Sequence, residues 1–236
     1  TLDSTVQFMA ERELQKSMEK YGAQGGTIII GEPKTGRILA LASNPSYDPN
    51  KFNEVPKDDQ WKFINPAISD VYEPGSIFKP LIMGAALDAG LIEPDTKPTD
   101  LPGGFKNMTT IDGYEIHNSQ DKSLGFETMT QVLENSDNIG MIWVGDKVGN
   151  EILGKYLADF GIGSKTGIDL GAEGAGKLSE AAKWRNVNRA TISFGQGVSV
   201  TPLQIFSAYM AIANGGKLVK PHVLDTIISP SGEEKK

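Results

Sequence analysis

A serine three residues ahead of a lysine on a helix puts a hydroxyl and an amine on one face, where the amine can take the hydroxyl's proton. The chain contains this spacing three times, at Ser17/Lys20, Ser76/Lys79 and Ser119/Lys122. Context separates them. Ser17 falls near the end of an amphipathic, solvated helix, and Ser119 in a polar irregular segment. Ser76 follows Pro74-Gly75 at the entrance of an apolar helix, and Pro80 fits near a first turn because it lacks an N–H. There the Ser76 hydroxyl would lie near backbone N–H groups able to hold an oxyanion, and Lys79 would point into protein. The same residues admit a plainer reading, in which Ser76 caps the helix and Lys79 joins an ordinary salt bridge.

Ser136-Asp137-Asn138 holds the only Ser-x-Asn in the chain. On a turn between helices its hydroxyl and carboxamide can face one cleft, the first relaying a proton and the second holding a peptide group. Read alone, such residues also make a helix cap. Two Lys-Thr-Gly triplets are set aside: Lys34-Thr35-Gly36 fills a hairpin turn, and Lys165-Thr166-Gly167 lies in a glycine-rich loop with no strand before it. Residues 171–177, Gly-Ala-Glu-Gly-Ala-Gly-Lys, fit the start of a phosphate loop, but Leu178 stands where magnesium needs Ser or Thr, and Glu173 would put an anion among phosphates.

The elements that must position these residues are α and β in one compact unit. Ser4-Thr5-Val6-Gln7 has capping-box spacing and predicts an amphipathic helix through about Lys20, with Val6, Met9, Ala10, Leu14 and Met18 on its apolar face. Thr27–Ile30 and Ile38–Ala42 read as a β-hairpin whose nearly continuous apolar runs imply cover on both faces. Helices are predicted from about Ser76 to Ala89, over 127–147 and over 150–160, with an irregular stretch at 92–125 and a glycine-rich one at 161–177. Thr201-Pro202-Leu203-Gln204 opens a helix that Asn214-Gly215-Gly216 closes. Lys217–Val219 and Val223–Ile228 suggest strands.

Composition narrows the chemistry. A chain of 236 residues, 39% hydrophobic and 22% charged, buries a sufficient core without disulfide or metal. Cysteine is absent, which removes thiol nucleophiles, Cys-ligated zinc and iron–sulfur clusters together. The only histidines, His117 and His222, have no zinc spacing. Lys and Arg total 23 against 30 Asp and Glu, a net charge of −7 that suits no nucleic acid. No apolar run reaches the ~18–20 residues of a membrane span.

Taken together, the motifs resemble a penicillin-binding protein transpeptidase domain of the monofunctional class B kind. The resemblance runs in family order over essentially the whole chain. It begins with Leu2-Asp3, Gly36-Arg37-Ile38-Leu39-Ala40-Leu41-Ala42 and Asn44-Pro45-Ser46-Tyr47-Asp48-Pro49-Asn50, and continues through Glu73-Pro74-Gly75-Ser76-Ile77-Phe78-Lys79-Pro80 and Ser136-Asp137-Asn138. It ends with Thr166-Gly167-Ile168-Asp169-Leu170, Phe194-Gly195-Gln196-Gly197, Thr201-Pro202-Leu203-Gln204 and Ile212-Ala213-Asn214-Gly215-Gly216.

The resemblance implies an α+β fold like that of penicillin-binding proteins and serine β-lactamases: an antiparallel sheet flanked by helices, with an all-helical region around the active serine. It implies that Ser76 attacks the carbonyl between the terminal D-alanines of a peptidoglycan stem peptide and that Lys79 takes its proton. Lys79 would be held neutral by burial and neighbouring positive charge, a bias of about 4 kcal/mol at pH 7. Ser136 would relay a proton to the leaving amine, Asn138 would bind the substrate amide, and the Ser76 N–H would be one oxyanion donor. β-Lactams would acylate the same serine, and no metal or cofactor is implied. The expected location is the outer face of the bacterial cytoplasmic membrane, with an anchor outside this chain and membrane-embedded cell-wall synthesis proteins as partners. The family's Lys-Ser/Thr-Gly strand is not found by residue 236. Residues 1–236 are therefore expected to be the N-terminal and central part of the domain, crippled alone, with Thr27–Ile30 as an open apolar edge. The alternatives are a D,D-carboxypeptidase or β-lactamase-like hydrolase and a non-catalytic penicillin-sensing domain.

Overall fold

The structure, a computed structural model, describes residues 2–119 and 122–235. Its contacts form two units, one of Thr1–Val71, Ser164–Ala175 and Thr201–Lys236, the other of Tyr72–Gly163 and Gly176–Val200. Helices and small antiparallel sheets make it an α+β protein.

In the first unit, helix α1 (Ser4–Tyr21) starts one residue earlier than its capping-box spacing predicts. The Asp3 carboxylate accepts from the N–H groups of Thr5 and Val6 at 2.9 and 3.0 Å. Strands β1 (Gly26–Gly31) and β2 (Ile38–Asn44) form the predicted antiparallel hairpin, with Ile28 opposite Ala42 and Ile29 opposite Leu41. Side chains alternate across a strand. Ile28, Ala40 and Ala42 therefore meet Ala10 and Leu14 of α1. Ile29 and Leu41, joined by Ile38 across the register shift between Ile30 and Gly31, meet Ala67 and Ile68 of the short helix α2 (Pro66–Ser69) and Leu203 and Phe206 of a later helix. Both faces of the hairpin are thus covered, while β1 pairs only with β2 among the described residues.

The second unit holds the two motifs of interest. A 3-10 turn, Gly75–Phe78, runs into α3 (Lys79–Asp88) with Pro80 in its first turn. Residues predicted to be irregular contain a hairpin, β3 (Met108–Ile111) and β4 (Tyr114–His117), turned by Asp112 and Gly113 at φ 51° and 87°. Asp-Gly at positive φ is the preferred two-residue hairpin turn. The surroundings of Ser76 are therefore helical with one β-hairpin, rather than all-helical. The helix predicted over 127–147 is two helices, α4 (Met129–Glu134) and α5 (Asn138–Asp159), separated by a turn at 135–137. Helix α5 absorbs the separate helix predicted over 150–160 and is interrupted only at Gly149. It packs against α3 and against α6 (Asn186–Ile192).

Back in the first unit, α7 (Pro202–Ala213) has the predicted capping box, Thr201 with Gln204. The tail keeps only β5 (Ile227–Ile228) and β6 (Glu234–Lys235) as strands. The longer strand predicted from Val223 does not form because the Asp169 carboxylate takes the N–H groups of Val223 and Leu224, at 2.8 and 2.5 Å. Those donors are then closed to a ladder.

Candidate active site

Ser76 is exposed in the 3-10 turn, and no cap hydrogen bond uses its side chain. Its neighbour in the motif is the opposite. Lys79, one turn on, is 2% exposed among Leu81, Ile82 and the other buried residues of α3. Its Nζ donates to the Ser136 carbonyl at 2.6 Å, to Ser136 Oγ at 3.0 Å and to Asn138 Oδ1 at 2.8 Å. These three bonds match the three donors of an ammonium, and all the acceptors are uncharged oxygens. Ser136 Oγ in turn lies 3.0 Å from Ser76 Oγ. The four sequence-predicted residues therefore form one chain of contacts, Ser76–Ser136–Lys79–Asn138, in which the amine meets the Ser76 hydroxyl through Ser136.

The turn that makes this possible ends α4 and begins α5. Asp137 N–H bonds back to the Val132 carbonyl and Ser136 N–H to that of Leu133, with Ser136 at φ 53°. This is the left-handed position that a helix end normally gives to glycine. Here it aims both the carbonyl and the hydroxyl of Ser136 at Lys79. Asp137 caps α5 by accepting from Gly140 N–H at 2.9 Å. Within the triplet the aspartate is the cap, and the serine and asparagine face the amine.

Burial pushes the Lys79 amine down to about 8, with the Asp137 carboxylate acting the other way. The neighbouring charge is thus negative rather than the positive one the resemblance implies. About a tenth of the amine is neutral at pH 7, so Lys79 rests mostly as the ammonium rather than neutral as the resemblance implies, and burial alone lowers it. Asn138 also differs from expectation, since its Nδ2 donates to the His117 carbonyl of β4 at 2.9 Å. Both ends of its amide are engaged within the protein.

The family model of the penicillin binding protein transpeptidase domain matches residues 26–236. The chain belongs to that family. Among curated proteins it is 38% identical over 230 residues to the stage V sporulation protein D of Bacillus subtilis, covering 98% of this chain and 35% of the relative. It is 32% identical over 217 residues to the peptidoglycan D,D-transpeptidase FtsI of Escherichia coli, covering 92% and 35%. Penicillin binding protein 3 of Mycobacterium tuberculosis, solved in complex with aztreonam, superposes with a TM-score of 0.90 at 30% identity, covering all of this chain and 51% of that one. The chain spans about a third of the length of these curated relatives.

The family segments outside the site now acquire physical reasons. In Phe194-Gly195-Gln196-Gly197, the Gly195 carbonyl accepts from Gly75 N–H at 2.9 Å, directly before Ser76. A Cβ on Gly195 would stand 2.1 Å from the Gly75 carbonyl oxygen, and Gly195 has φ 80°. Gly197 N–H reaches the Glu73 carboxylate at 2.9 Å, and Tyr72 bridges Val200. Replacing Gly195 by alanine is therefore expected to cost about 2 kcal/mol or more, from the left-handed backbone plus a clash that only backbone movement relieves. Thermal unfolding of G195A against wild type measures it.

One site residue carried no local signal. Asn118, buried, accepts from the N–H groups of Asn138 and Ile139 at 2.8 and 3.3 Å and so holds the start of α5 from twenty residues away. The sequence shows it only as a polar residue beside the third Ser-x-x-Lys. The structure leaves Ser17, Lys20, Ser119 and Lys122 exposed. The phosphate-loop candidate is likewise spent locally, because the Glu173 carboxylate binds Thr166 N–H and Oγ1, both at 2.6 Å, and Gly167 N–H.

Proposed function

We propose that this chain carries the acylating centre of a peptidoglycan D,D-transpeptidase. The observation that carries the reading is the relay from exposed Ser76 Oγ through Ser136 Oγ to the buried Lys79 amine, 3.0 Å at each step. Neutral Lys79 draws the Ser136 proton as Ser136 takes that of Ser76, and the Ser76 oxygen attacks the carbonyl of the penultimate D-alanine. The Ser76 N–H steadies the oxyanion, a group worth roughly 3–4 kcal/mol per donor at such sites. The ammonium then returns a proton through Ser136 to the departing D-alanine nitrogen. An amino group of a neighbouring stem peptide attacks the acyl-enzyme, loses its proton to the same relay and frees Ser76.

Asn138 serves this cycle by keeping one acceptor on the Lys79 amine, and of its amide only the Nδ2 hydrogen not given to His117 is left to meet the substrate backbone. A second oxyanion donor belongs, on this reading, to a Lys-Ser/Thr-Gly strand. Lys34-Thr35-Gly36 and Lys165-Thr166-Gly167 both occupy turns or loops and do not fill that role. Proton transfer and hydrogen bonding suffice for every step, so the reading calls on no metal or cofactor. On this reading substrate, β-lactam and acceptor amine meet Ser76 outside the cytoplasmic membrane, among membrane-embedded cell-wall synthesis proteins. No helix of the described residues is long and apolar enough to cross a membrane.

The test is mass spectrometry of the complete protein treated with benzylpenicillin. A single covalent adduct on the peptide containing Ser76, absent from Ser76→Ala, is the expected result. An adduct elsewhere, or none, overturns the reading. Product analysis with a stem peptide and an added amine then separates transfer from hydrolysis.

A further inference from the structure

Behind the turn that carries Ser136, two carboxyl groups are buried against each other. Glu127, just ahead of α4, is 5% exposed and Asp137 is 1% exposed. One oxygen of each is accounted for: Glu127 Oε1 accepts from Asn135 Nδ2, and Asp137 Oδ1 accepts from Gly140 N–H. The others, Glu127 Oε2 and Asp137 Oδ2, are both buried and receive no donor from the described residues. Yet the two side chains stand within hydrogen-bonding reach of each other. Two carboxylates can only accept, and two like charges in contact away from water repel. One proton between Oε2 and Oδ2 satisfies both orphaned atoms.

The proton's place follows from what surrounds each group. Asp137 sits at the N-terminus of α5, where the helix dipole favours an anion, and its charge acts on Lys79 of α3. The other partner of Glu127 is a neutral amide. Burial, and then the charge of Asp137, push the Glu127 carboxyl up against the opposing pull of Asn135. The remaining charged groups on the neighbouring elements, Glu134 of α4, Lys122 and His117, are exposed, and His117 lies 3.8 Å from Glu115.

We propose that Glu127 is a positioning residue of the Ser76–Lys79 site: protonated at neutral pH, it donates to Asp137, ties down the 135–137 turn and leaves Asp137 as the single carboxylate acting on Lys79. A glutamine has the same shape as the protonated acid, its Oε1 accepting from Asn135 and its Nε2 donating to Asp137. An alanine offers neither. The proton assignment stands apart from the transpeptidase reading; only the kinetic arm of the test rests on it.

The complete protein, as wild type, E127Q and E127A, is followed by thermal unfolding against pH, by infrared spectroscopy of the carboxyl stretch, and by the rate of β-lactam acylation. Because the folded state holds the Glu127 proton more tightly than the unfolded one, its contribution is full below the ordinary carboxyl value of about 4.3 and is lost as pH rises towards the folded value. The wild type should therefore lose thermal stability relative to E127Q as pH rises above that ordinary value. A protonated-carboxyl band at pH 7 should vanish in E127Q. E127Q should acylate within about twofold of wild type with an unchanged pH profile, and E127A at least tenfold slower. A pH-independent stability difference without the band shows Glu127 ionised and overturns the proposal, as does a tenfold loss in E127Q. A band that disappears as expected in a wild-type background that never acylates at Ser76 upholds the proton and removes the transpeptidase reading instead.

Discussion

Replacing Lys79 by methionine or by arginine lowers the rate at which the complete protein forms its β-lactam adduct by about 10²–10⁴-fold, the range for losing a positioned general base. The two substitutions fail for different reasons. Methionine keeps the length and apolar stem but has no amine. Arginine keeps a cation and its donors but cannot be deprotonated in a protein. If Lys79 acted only as a fixed positive charge, arginine would retain much of the rate, so comparable losses in both variants single out the base. Folding is checked by thermal unfolding. Methionine removes the cost of a buried charge but leaves the Ser136 carbonyl and Asn138 Oδ1 each short of a donor, opposing effects of about 1–3 kcal/mol. The wild-type profile completes the argument. With the amine at about 8, the neutral fraction grows nearly tenfold from pH 6 to 7 and reaches half at pH 8. Acylation measured by stopped flow from pH 5.5 to 9.5 should climb with that slope and level off above 8. A flat profile would remove Lys79 from the role of base.

The indirect contact between Ser76 and Lys79 gives the resting site its logic. The three donors of the ammonium are all bonded within the 136–138 turn, so the charged form is held in place by the same atoms that later pass the proton. When the amine is neutral it has two donors and a lone pair, and one of the three bonds must reverse. A carbonyl and an amide oxygen cannot donate. The hydroxyl of Ser136 can, which makes it the one contact through which a proton can arrive from Ser76.

What the sequence revealed of this site follows the range of the interactions. Ser76 and Lys79 were legible because a single helical turn joins them and Pro74, Gly75 and Pro80 mark where that helix starts. The capping box at Thr201 and the hairpin at 26–44 were equally local. The break at 135–137 was hidden because the residue in the left-handed conformation is Ser136 rather than the glycine that usually announces a helix end. The hairpin at 108–117 did carry its signal, Asp112-Gly113, inside a stretch otherwise too polar to suggest strands. Asn118 and Glu127 act on α5 and its cap through contacts that no periodicity records. The charge beside Lys79 was misjudged for a related reason: Asp137 is next to a motif residue in sequence, but only the fold shows that it is buried on the side of the amine.

Ser136 allows its hydroxyl and its backbone to be tested apart. Both Ser136→Gly and Ser136→Ala delete the relay oxygen, so both should slow acylation by about 10²-fold or more. In both, the 2.6 Å bond from Lys79 to the residue-136 carbonyl remains available, because it belongs to the backbone. They should part company in stability. At φ 53° an alanine bears the same left-handed strain as serine, about 1 kcal/mol, whereas glycine bears almost none. Denaturant unfolding should therefore rank S136G about 1 kcal/mol above S136A while their acylation rates stay together. Should S136G keep near-wild-type rates, the hydroxyl is not in the proton path and Lys79 must reach Ser76 directly. Should the two unfold alike, the turn does not hold residue 136 in the left-handed region, and the geometry that aims Ser136 at the amine loses its cause.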